Sequence, residues 1–133
     1  MPAPISPANA ITSAFDAMPD ELRPLLLDLR ARIHSIASED PRLGHVIETL
    51  KWGQPSLTTA GRKAGTPIRL GVTKDGQAAI FVHCQSPVIP RLAAHLPPEI
   101  KLDGTRALHL PSNMQADHPA LTDFIRTALS YRL

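Results

Sequence analysis

In four stretches of the chain, apolar residues return at the i, i+3, i+4, i+7 spacing of a one-sided helix. After Ser6-Pro7 they are Ile11, Ala14, Phe15 and Met18, and after Asp40-Pro41 they are Leu43, Val46, Ile47 and Leu50. Ser86-Pro87 precedes Ile89, Leu92, Ala93 and Leu96, and Asp117-His118-Pro119 precedes Leu121, Phe124, Ile125 and Ala128. Each run opens on a capping residue beside a proline, which suits a first helical turn. A fifth helix is predicted from Asp20 to Ala37, with Leu22, Leu25, Leu26, Leu29, Ile33 and Ile36 on one face. Pro24 belongs in a first turn, so the start of that helix falls after Asp20. Asp28 and Arg32, four residues apart, are expected to pair on its outer side. This longest and most apolar helix is the one around which the core is expected to assemble.

The middle of the chain alternates with the period of a strand. Pro67 to Thr73 and Gln77 to Cys84 flank Lys74-Asp75-Gly76, a hairpin signal. A two-residue Asp75-Gly76 turn would split the apolar residues between two faces. A three-residue loop with Gly76 left-handed instead gathers Ile68, Leu70, Val72, Ile80, Val82 and Cys84 on one face, and we prefer it because it concentrates burial. Arg69, Thr73, Phe81 and His83 then occupy the reverse face. A second hairpin is predicted from Glu99–Leu102 and Arg106–Leu110 around Asp103-Gly104-Thr105, with Leu108 and Leu110 on one side and Ala107 and His109 on the other. Ser56 to Thr59 reads as a further short strand, and 60–66 as the least structured interior stretch. Strands joined by tight turns imply an α+β domain with an antiparallel sheet of about five strands and helices mainly on one face.

Composition narrows the class. Hydrophobic residues are 43% and charged residues 20% of the 133, a globular balance. Such a length is expected to form one domain, 1–133, with 1–6 as a loose tail, burying roughly two-thirds of its unfolded surface. Aromatics are only 4%, so the core rests on Leu, Ile, Val and Ala. A net charge of +2 is too weak a bias for a nucleic-acid partner, and only Arg62 and Lys63 form a tight basic pair. The single cysteine, Cys84, excludes an intramolecular disulfide and suits a reducing compartment. No signal-peptide pattern and no apolar run of about 20 residues is present, so no membrane role is expected and the cytoplasm is the expected location.

Chemistry is sparse. The six histidines show no Glu-x-x-His or His-x-x-x-His spacing. His83 and Cys84 are strand neighbours whose side chains point to opposite faces, so no metal site is assigned; a cross-strand pair of His83 with His109 is the one arrangement left open. Cys84 precedes a helix start, where a thiolate would be favoured, but no His-Asp partner set accompanies it, and the preferred register buries it as a small hydrophobe. Gly61-Arg62-Lys63-Ala64-Gly65 lacks the strand-loop-helix setting of a phosphate loop. Gly53 suits a left-handed helix end and Pro55 forbids continuation, which would make Trp52 a core plug at a helix–sheet corner. The functional alternative is an aromatic wall beside Lys51, Arg69, His83 and Arg106, which together form the candidate ligand-binding set for an anion.

The segment Lys51-Trp52-Gly53-Gln54-Pro55-Ser56 resembles the signature of the YdhG-like family, long catalogued as domain of unknown function 1801. Phe81-Val82-His83-Cys84-Gln85-Ser86, Gly104-Thr105-Arg106-Ala107-Leu108 and Leu26-Leu27-Asp28-Leu29-Arg30 are similar to further segments of it, from Phe15 to Tyr131. Leu57 stands where members often carry tyrosine. The resemblance implies a frataxin-like α+β fold, no accepted catalytic residue, and a link to iron that has been proposed within the wider family. The residues here do not form the carboxylate ridge that iron would prefer, and Asp20-Glu21 suits a helix dipole. We therefore expect a non-catalytic module binding a small anion or a protein partner. Iron handling of the frataxin type, with iron as its only implied cofactor, is the alternative, and a cysteine-dependent enzyme a further one. The sequence does not set an oligomeric state.

Overall fold

A computed structural model describes residues 7–60 and 64–133. The expectations for Ser6 as a cap, for the 1–6 tail and for Gly61, Arg62 and Lys63 fall outside those residues. Helix α1 (Pro7–Asp16) leads to α2 (Arg23–Ser38), which starts after Asp20 with Pro24 in its first turn. The Arg23 guanidinium joins the two helices. It donates from Nε to the Phe15 carbonyl at 3.1 Å, which also accepts from Met18 N–H at 3.0 Å, and from Nη2 to the Met18 carbonyl at 2.7 Å. Arg32 turns to Thr122 Oγ1 at 3.0 Å rather than to Asp28.

Four strands follow: β1 (Val46–Lys51), β2 (Gln54–Thr59), β3 (Ile68–Val72) and β4 (Ala78–Phe81). Then come α3 (Val88–Leu92), a 3₁₀ turn at Ala93–His95, β5 (Lys101–Asp103), β6 (Ala107–Leu110) and α4 (Pro119–Ser130). The sheet is antiparallel throughout in the order β1-β2-β3-β4-β6-β5. Among the described residues it has six strands rather than about five, because β1 occupies the stretch where a helix was expected.

That correction has a physical reason. Val46, Ile47 and Thr49 are β-branched and pack well on a pleated surface. Gly44 at φ 71 breaks any helix begun at Pro41. The helical stripe was a coincidence: Leu43 is buried from a turn, while Ile47 and Leu50 are exposed.

The β3–β4 hairpin has the expected register, with Leu70 opposite Ile80 and Val72 opposite Ala78. Its loop closes through Thr73 N–H to the Gln77 carbonyl at 2.8 Å, with Gly76 at φ 85. Ile68, Leu70, Ile80, Val82, Leu108 and Leu110 face one way and are buried with Ile11, Phe15, Leu26, Leu29, Ile33, Leu121, Phe124 and Ile125 of the helices. Cys84 is the exception. Strand β4 ends at Phe81, alternation lapses in the turn that follows, and the thiol is exposed instead of joining the core.

Candidate functional site

The first site element is the β1–β2 hairpin. Lys51 pairs with Gln54, so the turn consists of Trp52 and Gly53 alone, at φ 55 and φ 75. Two consecutive positive φ values are what a type I′ turn requires, and that turn ordinarily uses Asn-Gly or Asp-Gly. Tryptophan in the left-handed region costs about 1–2 kcal/mol. Its side chain is 90% exposed, so burial returns nothing. Trp52 is thus neither a core plug nor the end of a helix. Ile47 and Leu50 on the same hairpin are 43% and 40% exposed.

Because Lys51 and Gln54 close a two-residue loop, they exchange both ladder hydrogen bonds, and alternation fixes the rest of the pattern. Residues 47, 49 and 51 turn their main-chain groups toward β2; Val46, Glu48 and Leu50 turn theirs outward. The bond from Ala60 N–H to the His45 carbonyl at 2.8 Å fits this phase. β1 is an edge strand, and no backbone bond reaches the outward groups among the described residues.

The hairpin is anchored by Glu48 on the helix side. Arg30 of α2 donates to Glu48 from Nε at 2.7 Å and from Nη2 at 2.5 Å, and His34 Nε2 lies 2.8 Å from Oε2. The hydrogen-bonded Arg30 holds the Glu48 carboxyl below the usual range, and Glu48 in turn raises Arg30. The guanidinium also lies 5.1 Å from the Phe15 ring centre. A paired carboxylate in this position holds the hairpin to α2.

The second element is the sheet face away from the helices. Arg69 stacks over Phe81 at 5.2 Å and donates to Gln54 Oε1 at 3.3 Å. Gly71 makes room for this: a β-carbon there would sit 2.5 Å from Gln54 Nε2. No carboxylate pairs with Arg69 among the described residues. Beside it, a groove of about 400 Å³ is lined by Phe81, Arg106, His109, Asp103, Lys74 and Asp75. Asp103 accepts from Arg106 at 3.0 Å and lies 3.8 Å from His109. The groove largely neutralises its own charge.

The five candidate residues are therefore not gathered into one concavity. Lys51 and Trp52 occupy the hairpin tip, Arg69 the centre of the open face, and Arg106 the groove at its margin. His83 lines a separate hollow with Ser86, Tyr131 and Arg132. His109 does not pair with His83; it stands opposite Ala79 and Lys101. Sequence reasoning missed Ser86, which was expected to cap a helix. Among the described residues its Oγ has no hydrogen-bond partner, and Pro87 holds the cap position.

Among the described residues, no three His, Cys, Asp or Glu side chains gather to hold a metal ion, and no helix is long and apolar enough to cross a membrane. Searches for similar proteins found no matching family model, no matching curated protein and no matching solved structure.

Proposed function

We propose that this chain is a non-catalytic binding module whose β1 edge accepts an extended segment of a partner protein, with Trp52 as anchor. One observation carries the reading: an almost fully exposed tryptophan held at positive φ on the tip of an edge hairpin. Strain retained without burial is a mark of function rather than stability. Tryptophan is also the residue type most enriched where binding energy concentrates. The outward main-chain groups of Val46, Glu48 and Leu50 supply the ladder that strand addition uses, and Leu50 and Trp52 supply apolar contact. Lys51, beside Trp52 and unpaired among the described residues, selects a partner segment with a carboxylate at the matching position.

Selection of a random-peptide library on the immobilised protein tests this. The expected winners are extended, β-branched sequences carrying one acid. Their binding should fall with Trp52→Ala and with N-methylation of alternate peptide amides, which removes ladder donors. Winners that bind the Trp52→Ala protein equally well would overturn it.

The resemblance described above supports placing this α+β sheet in the YdhG-like, frataxin-like group, and the lone cysteine supports a reducing compartment such as the cytoplasm. No observation favours iron handling or a cysteine nucleophile over partner binding.

A further inference from the structure

The two edges of the sheet are built differently. β5 is three residues long and carries Lys101 and Asp103. Short length and charge are the usual means of keeping an edge from pairing with another chain. β1 has six residues, no proline and an unbroken register against β2, so no bulge twists it away. Its charges are Glu48, which Arg30 and His34 hold against α2, and Lys51 at its end. Ile47 and Leu50 between and beside them are exposed apolar residues.

We propose that β1 pairs antiparallel with β1 of a second copy of this chain across a two-fold axis, joining two sheets into one. This rests on the reading of β1 as a strand-accepting edge and names an occupant for it. The strand itself sets the register. Val46, Glu48 and Leu50 turn their main-chain groups outward, so even-numbered residues must exchange the new ladder bonds with even-numbered ones. With that phase, only axes on Glu48 or on Thr49 pair most of the strand. The first sets Glu48 directly opposite the partner's Glu48, and like charges so placed destabilise.

The register centred on Thr49 is self-complementary. Glu48 reaches α2, so Ile47, Thr49 and Lys51 lie on the face away from the helices. On the axis, Thr49 meets the partner's Thr49 in a non-hydrogen-bonded pair, the closer kind, where two hydroxyl side chains suit one another. Ile47 lies opposite the partner's Lys51, whose methylene stem covers it while the ammonium stays in water. Glu48 and Leu50 exchange ladder bonds with the partner's Leu50 and Glu48. The helix layer leaves room for this approach. α1 lies against β1, has no Lys, Arg or Glu, and shows Ala10, Ser13 and Ala14 outside its buried face. One strand pair flanked by helices is a small interface, so the dimer forms reversibly with concentration. In it Lys51 meets no carboxylate, which gives a partner segment carrying one an advantage over the second copy.

Sedimentation velocity over a concentration series, from low micromolar to near millimolar, tests this. The wild type should pass from monomer to dimer within that range. Thr49 is exposed, and Thr49→Lys and Thr49→Glu should each weaken dimerisation by about fivefold, the effect of one like-charge pair on the axis. Mixed in equal amounts, the two variants should associate at least as tightly as the wild type, because the axis then joins opposite charges. That recovery also shows both variants to be folded. A wild type that stays monomeric throughout, a dimer indifferent to both substitutions, or a mixture no tighter than its components would each overturn the proposal. Selected peptides carrying an acid should dissociate the wild-type dimer as they bind. Peptide binding through Trp52 by a protein that never dimerises would overturn this inference and leave the partner reading standing. A Thr49-dependent dimer from which no binding peptide can be selected would do the reverse.

Discussion

The two hairpins on the β1 side of the sheet solve the same problem in opposite ways. The β3–β4 loop is polar. Its Thr73 hydroxyl donates to Asp75 and accepts from Gln77 N–H, and a glycine takes the left-handed position. Every choice there serves closure of the loop. The β1–β2 turn places tryptophan where glycine or asparagine would be easier, exposes it, and leaves the strand behind it at the edge. The first is accounted for by folding alone. The second is not, and that mismatch is the observation on which the proposed partner surface rests.

Truncation of what both hairpins share should have the largest effect. Leu29 is wholly buried beneath the sheet, and Leu29→Ala is expected to cost ~2–5 kcal/mol, read from the denaturant midpoint. Both hairpins should be lost in one transition; separate transitions would show that they do not share a core. Next is the anchor specific to β1. Glu48→Gln removes a bidentate acceptor from Arg30 and is expected to cost about 1–3 kcal/mol near neutral pH. The folded carboxyl titrates below its ordinary range, so this contribution is fully present above about pH 4.3 and lost as pH falls through the depressed folded value. The gap between wild type and Glu48→Gln should therefore close in acid. A gap independent of pH would mean that charge is not what holds the hairpin to α2.

The turns themselves separate the two hairpins more finely. At Gly76 a β-carbon would meet nothing within 4 Å, so Gly76→Ala tests backbone strain alone and should destabilise by about 1 kcal/mol. Trp52→Asn should do the reverse, leaving stability equal or raising it by up to about 1 kcal/mol in thermal melts, while abolishing peptide binding. A marked loss of stability would show that the indole is held by contacts after all. The smallest effect is spectroscopic. As the sole tryptophan and 90% exposed, Trp52 should emit at the wavelength of solvated indole, with almost no shift on unfolding. A blue-shifted native emission would return it to the core.

Much of the fold was legible because short-range rules decided it. α1, α2 and α4 carry apolar stripes that only a helix collects on one face, and the buried members of those stripes are those expected. The Lys74-Asp75-Gly76 register followed from burial, since a slip of one residue would have divided Ile68 and Leu70 from Ile80 and Val82. The stretch 41–50 failed because its spacing suited a helix while its β-branched residues suited a strand. Local pattern weighs those two signals poorly; the neighbouring strand β2, which pairs with it along its whole length, settled the choice.

Apolar periodicity and turn chemistry therefore determined an α+β class and the helices that cover the sheet, because each depends on residues near one another in the chain. The tertiary structure alone decided that Trp52 points into solvent, that Cys84 leaves the core, that Arg69 lies on Phe81 and that the buried Ser86 hydroxyl has no partner among the described residues. The hollow that His83 lines joins the turn after β4 to the residues after α4, and the packing of Gly65 against Ala128 sets their separation. Distances of that kind come from how whole elements pack, and no spacing along a single segment encodes them.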